Sequence, residues 1–215
     1  MRPVNRPGRG QTAIAPGKVR IIGGRWRGTR LPVADAPGLR PTPDRVRETL
    51  FNWLQAMLPG ARVLDLFAGS GALGLEAVSR GAREALLVER EPALCEALRG
   101  VVGRLQADGP AQVLQADAIA LLRAPLHGRF DLVFLDPPFA ADLWSAALEL
   151  LPPWLADGAW LYLESPAQPL PAMPTGWRLH RDGRTRDVHF ALYRRRADGT
   201  DTLAPVQDKI PTTTG

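Results

Sequence analysis

Three closely spaced glycines most constrain this chain. They lie in the run Val63-Leu64-Asp65-Leu66-Phe67-Ala68-Gly69-Ser70-Gly71-Ala72-Leu73-Gly74, between a short apolar segment and a second apolar segment of small residues. A strand that enters a helix through such a turn leaves backbone N–H groups open at the helix start, and this is where an open α/β sheet binds its ligand. The rest of the chain has to supply a sheet for that turn to crown. Alternating patterns predict strands near 62–66, 84–88, 111–115, 130–135 and 159–164, with helices near 71–80, 91–106, 117–123 and 141–151. Continuous apolar runs such as Leu132-Val133-Phe134-Leu135 mark strands covered on both faces, as in a parallel sheet. Segments 176–181 and 187–194 follow one another without a helix and are expected to close the sheet as an antiparallel hairpin.

At 215 residues, 45% hydrophobic and 23% charged, the chain suits one globular domain with a small appendage. The single cysteine, Cys95, excludes an internal disulfide framework and a cysteine zinc cluster, and reads as an ordinary helix residue. No apolar run approaches the ~18 residues of a membrane span, and the N-terminus lacks a signal-peptide apolar segment, so a cytoplasmic protein is expected. Charge is unevenly placed. Residues 1–47 hold 11 Lys/Arg against Asp35 and Asp44 (+9), residues 48–177 are at −7, and residues 178–215 are at +3. A basic arm on an acidic core points to a polyanionic partner.

The expected boundaries are a basic tail at 1–17, an N-terminal β-hairpin extension at 18–40, a core domain at 41–196 and a flexible tail at 197–215. In the extension, Val19 to Ile22 followed by Gly23-Gly24-Arg25-Trp26-Arg27-Gly28 and Thr29-Arg30-Leu31 reads as a glycine-turned ribbon bearing arginines, with Trp26 exposed on it. Thr42-Pro43-Asp44 reads as a helix start, with Thr42 capping and Pro43 in the first helical position. Val46, Leu50, Trp53, Leu54 and Met57 then line one face until Pro59-Gly60.

The glycine turn fits two ligands. Gly69, Gly71 and Gly74 match the dinucleotide fingerprint, with Glu89 20 residues after Gly69 at the end of the second core strand, yet an adenosyl cofactor would use the same turn. Two features tip the choice. Asp65 would repel a pyrophosphate but suits the cationic ammonium and sulfonium of S-adenosylmethionine. The run Asp136-Pro137-Pro138-Phe139 ends the fourth core strand, where a dehydrogenase has no use for it.

With these motifs the chain resembles the Rossmann-like class I S-adenosylmethionine-dependent methyltransferases. Within them, Arg20-Ile21-Ile22-Gly23-Gly24 and the stretch from Arg40-Pro41-Thr42 to Phe51-Asn52-Trp53-Leu54 resemble the RsmD family of bacterial 16S ribosomal RNA guanine-N2 methyltransferases, over about residues 18–195. The resemblance implies a seven-stranded, mostly parallel sheet with helices on both faces. It implies a cofactor site of Asp65, Phe67, Gly69, Ser70, Gly71, Glu89, Asp117 and Ala118, with Glu89 on the ribose hydroxyls and Asp117 on the adenine amine. Asp136, Pro137 and Phe139 are the implied catalytic set, with Phe139 where tyrosine is common. Arg25, Arg27, Arg30, Arg45 and Arg47 are expected to grip RNA, with Arg178, Arg181, Arg184 and Arg186 as the fallback. The expected partner is 16S ribosomal RNA within the small subunit, bound by a monomer without metal.

Asp-Pro-Pro-Phe fits amine methylation because acceptors on both N–H bonds return electron density to a delocalised nitrogen. The competing functions are an adenine-N6 methyltransferase, which uses the same motif, an NAD-dependent dehydrogenase, and a non-catalytic RNA-binding assembly factor. His127, His180 and His189 read as ordinary surface or edge residues, and Asp117 reads equally well as a helix cap.

Overall fold

A computed structural model of the chain describes residues 18–32 and 43–196. The expected tails and Thr42 lie outside the described residues. The core alternates β3 (Arg62–Asp65), α2 (Ala72–Ser79), β4 (Glu84–Glu89), α3 (Pro92–Arg104), β5 (Ala111–Gln115), α4 (Ala118–Leu122), β6 (Phe130–Leu135), α5 (Trp144–Leu150) and β7 (Leu155–Pro166), and ends in β8 (Trp177–Arg184) and β9 (Val188–Arg195). Ahead of it stand β1 (Lys18–Arg20), β2 (Arg30–Pro32) and α1 (Asp44–Leu54).

The core strands form one seven-stranded sheet in the order β5-β4-β3-β6-β7-β9-β8, parallel from β5 to β7 and antiparallel at β9 and β8. Successive side chains of a strand go to opposite faces, so an apolar run can serve two cores at once. Val63, Leu87, Phe134, Tyr162 and Phe190 pack with α1, α2 and α3 on one face. Leu64, Val88, Val133, Leu161 and Tyr193 pack with α4 and α5 on the other. The order reverses between β3 and β4 on one side and β6 on the other, which puts the glycine turn at the switch point of the sheet.

Several boundaries depart from the sequence pattern. Pro43 occupies the N-cap of α1 and Asp44 opens the helix, one residue later than expected. The helix expected from 141 begins at Trp144: Phe139–Ala141 form a tighter 3-10 turn, and Asp142 has a left-handed φ of 44° that an α-helix cannot continue through. β7 runs well beyond 159–164 because β6 and β9 pair with it on both sides.

The N-terminal extension forms an antiparallel hairpin of β1 with β2, and the correction concerns Trp26 and how the hairpin is held. β1 and β2 pair over three positions only, and the chain between them forms a 3-10 turn at Gly24–Trp26 that is docked on α2. The fully buried Glu76 accepts from Ile22 N at 2.6 Å and Gly23 N at 2.7 Å, while Ser79 Oγ donates to Gly23 O at 2.6 Å and accepts from Trp26 N at 2.9 Å. Gly24 has φ +73° and approaches so closely that a Cβ there would sit 1.9 Å from Ser79 O, so both backbone and space demand glycine. Trp26 is half-buried against the core under Arg25, rather than displayed on a ribbon.

Arg47 is corrected as well. Its side chain is fully buried, with Nη2 2.6 Å from Asp44 Oδ1 and 2.9 Å from Arg20 O, and Nη1 3.9 Å from Glu76 Oε2. A guanidinium enclosed in this way holds the extension to the core and cannot reach a phosphate. Arg25, Arg27, Arg30 and Arg45 are exposed.

Candidate active site

Every expected cofactor residue comes from the carboxyl ends of β3, β4 and β5. Gly71 is the N-cap of α2 at φ +75°, and a Cβ on it would meet Leu98 Cδ1 at 2.5 Å, so this turn is closed to other residues. Gly74, one turn into α2, donates its N–H to Asp65 Oδ2 at 2.9 Å and lies against Leu87. That contact draws the helix onto the strand and leaves Asp65 buried under the turn. Burial, followed by the nearby Glu89 charge, raises the Asp65 carboxyl from 3.8 to about 7 against the opposing Gly74 and Phe67 hydrogen bonds. Among the described residues no cation pairs with it.

Glu89, at the end of β4, closes the turn from the other side. Oε2 accepts from Gly69 N at 3.0 Å, and Oε1 accepts from Arg90 N at 2.8 Å and Glu91 N at 2.9 Å. Its carboxylate is thereby aimed across the turn, with an acceptor position left on Oε2. Phe67 and Ser70 are half-buried on the same turn. Asp117 is exposed and caps α4, its Oδ1 accepting from Ala120 N at 2.8 Å, while Ala118 is buried beneath it.

The catalytic candidates stand on the next strand. β3 pairs with β6, and Leu66 N donates to Phe134 O at 3.2 Å, so the loop from Asp136 leaves the sheet beside the glycine turn. Asp136 is half-buried, Pro137 buried and Phe139 38% exposed. The Phe139 ring leans on Trp144 with centroids 5.7 Å apart.

Sequence reading missed what holds this loop. Trp144 Nε1 donates to Glu164 O at 2.7 Å, and Tyr162 Oη donates to Glu164 Oε1 at 2.6 Å, all of them buried. Leu135 pairs with Leu163, so Asp136, just past the end of β6, lies level with Glu164 within β7 and on the same face. Burial, then the adjacent Glu164 and Asp136 charges, lifts the Tyr162 phenol well above its usual range and keeps it a donor. The available signal was a glutamate at 164 inside the apolar run Leu161–Ser165. Glu76 and Ser79, the dock of the extension, were likewise polar residues within a fully buried helix.

Two of the other residues also find structural roles. Cys95 is buried on α3 with Sγ 3.2 Å from Glu89 O, and His189 is buried with Nε2 3.0 Å from Asp182 Oδ2. No group of His, Cys, Asp and Glu among the described residues could hold a metal ion. A cleft of about 350 Å³ lined by Met57, Gly60, Asp131, Asp157 and Trp160 lies at the amino ends of the strands, away from every residue above.

Two solved structures share this architecture. An Escherichia coli methyltransferase superposes with a TM-score of 0.76 at 47% identity, covering 85% of this chain and all of that one. A Haemophilus influenzae methylase gives 0.73 at 36%, covering 84% and 99%. The fold and the site together define a Rossmann-like methyltransferase. Residues 19–194 match the family described as conserved hypothetical protein 95. The protein named ribosomal RNA small subunit methyltransferase D of Escherichia coli strain K12 is 48% identical over 186 residues, 85% of this chain and 93% of that protein, and its Haemophilus influenzae namesake is 41% identical over 187 residues, 85% and 97%. This chain belongs to that family, the RsmD family.

Proposed function

We propose that this methyltransferase moves a methyl group from S-adenosylmethionine to the exocyclic N2 amine of one guanine in 16S ribosomal RNA, working as a cytoplasmic monomer on an assembled small-subunit particle. The observation that carries this reading is the adjacency of β3 and β6, which sets Asp136-Pro137-Pro138-Phe139 beside the turn of Gly69 and Gly71. Family membership and the names of its relatives support the RNA substrate.

The turn suits such a cofactor. Asp65 is a buried carboxylate that the described residues leave without a cation, as a site for a cationic ligand requires. Gly69 and Gly71 admit close backbone approach, Glu89 can accept from ribose on Oε2, and Asp117 has a second oxygen for an adenine amine beyond the one that caps α4. When bound, S-adenosylmethionine supplies an electrophilic methyl on sulfur.

The remaining chemistry belongs to this chain. Asp136 and the Pro137 carbonyl accept the two N–H bonds of the amine, drawing electron density back to nitrogen and stabilising the positive charge that develops there. Two prolines fix the backbone that presents that carbonyl. Phe139, braced by Trp144, stacks on the extruded base, worth about 1–3 kcal/mol. Holding amine and methyl in line supplies much of the rest.

The test is tritiated methyl transfer to naked 16S RNA and to 30S particles from a strain lacking the protein, followed by nucleoside analysis. N2-methylguanosine formed on particles is the expected product. N6-methyladenosine, or no transfer to either substrate, overturns the reading.

A further inference from the structure

The β8–β9 hairpin is the edge of the sheet, and six of the eight residues of β8 are exposed. Residues 177–195 carry Arg178, Arg181, Arg184, Arg186, Arg194 and Arg195 against Asp182 and Asp187, a net +4 beside an acidic core. Topology separates these arginines. β9 runs antiparallel to β7, with Pro166 opposite Val188, so the β8–β9 turn lies at the carboxyl rim that carries Asp136. Arg178 lies six residues earlier on β8, about 20 Å down the strand from Arg184.

That turn is rigid. Thr185 N donates to Val188 O at 2.8 Å, Val188 N donates to Thr185 Oγ1 at 3.1 Å, and Ala167 N donates to Asp187 O at 3.1 Å, tying the turn to the end of β7. Arg184 pairs in register with His189, on the face shared with Tyr193 and α5, which is also the side on which Phe139 leans on Trp144. Asp182 is engaged by His189. Arg184 and Arg186 are exposed, and among the described residues neither is in an ion pair.

We propose that Arg184 and Arg186 form a phosphate grip at the catalytic rim, holding the RNA backbone next to the base that Phe139 receives. This rests on the RNA-methylating reading above. Guanidinium groups bind phosphate oxygens in bidentate geometry, and a fixed turn spends little conformational entropy in doing so. The exposed arginines of the N-terminal extension attract RNA from elsewhere on the surface, whereas a grip at the rim sets the position of the target nucleotide.

The experiment compares the full chain with Arg184→Glu/Arg186→Glu and with Arg178→Glu, measuring RNA affinity across a salt series, methyl transfer to 30S particles, and S-adenosylmethionine affinity. For the double variant, the slope of log affinity on log salt should become shallower by about 1 to 2, because each lost phosphate contact removes about 0.7 to 0.9. Its kcat/KM for particles should fall at least about tenfold, with cofactor affinity and Tm unchanged. Arg178→Glu should shift the slope less and leave kcat alone. Wild-type slope and kcat/KM in the double variant overturn the grip, as does an equal loss in Arg178→Glu, which would indicate diffuse attraction. Binding is read independently of turnover, so wild-type RNA binding without methyl transfer sinks the proposed reaction while the slopes still decide the grip. Absence of RNA binding by the wild type overturns both.

Discussion

Two buried carboxylates meet at α2, Glu76 within the helix and Asp65 accepting from its Gly74 N–H, and the protein treats them differently. Glu76 is fully enclosed and met by two backbone N–H groups, by Arg80 at 2.7 Å and by Arg47 at 3.9 Å. Asp65 is as deeply enclosed, yet it has backbone partners, a repelling neighbour in Glu89 and no ion pair among the described residues. Burying a charge is costly unless it is paired. The paired acid is structural and fastens the N-terminal extension, while the acid without a cation is the one that the proposed function assigns to a cationic cofactor.

The harshest way to break this contrast is Glu76→Ala. It removes the carboxylate that Arg80 meets at 2.7 Å and leaves two backbone donors unmet, so the loss should be about 3–5 kcal/mol of stability, read as Tm or a denaturant midpoint. A near-neutral result would mean that Glu76 is not the anchor. Asp136→Ala should lower kcat by at least about 10²–10³-fold while cofactor affinity stays within a few-fold, since its partner is the substrate amine. Full turnover in that variant would refute the assignment.

Asp65→Asn sharpens the comparison because its two effects have opposite signs. In the folded chain the Asp65 carboxyl titrates at about 7, above its ordinary 3.8. Its contribution to stability is therefore complete below about 3.8 and is lost as the pH rises through about 7. The ligand-free Asn variant should lack that decline and melt a few degrees higher than wild type above about pH 7. S-adenosylmethionine affinity should rise roughly fivefold in wild type between about pH 6 and about pH 7, and should be weak and flat in the variant. A wild-type affinity that does not change over this range would separate Asp65 from the cofactor. The smallest effect is expected for Phe139→Tyr, which keeps the stacking face and should be nearly silent, whereas Phe139→Ala should lose about 1–3 kcal/mol of substrate binding. Equal losses in the two would assign Phe139 to packing against Trp144.

The cofactor turn was legible because its chemistry is local. Gly69, Gly71 and Gly74 occupy fixed offsets after a strand, and Glu89 ends the next one. Asp117 was read both as a ligand residue and as a cap, and its bond to Ala120 N shows the cap. The hairpin of the N-terminal extension was legible too, but its docking on α2 and the half-burial of Trp26 were not, for the opposite reason. Its glycines and arginines mark a ribbon by local rules, but Ile22, Gly23 and Trp26 donate their backbone N–H groups to Glu76 and Ser79, more than fifty residues away. Arg47 stands at helical spacing from Asp44, Leu50 and Leu54, yet its enclosure is completed by Arg20 O and Glu76, 27 and 29 residues away in the chain.

The strand and helix periods, the turn at the sheet's switch point and the Asp-Pro-Pro-Phe run follow from the amino-acid sequence alone, because each depends on neighbours a few residues apart. Which charges are buried and paired, which arginines stay exposed, and how Trp144 links Phe139 to Glu164 were decided only by tertiary structure. Those outcomes depend on desolvation and on partners supplied by other strands and helices, and a linear pattern carries neither.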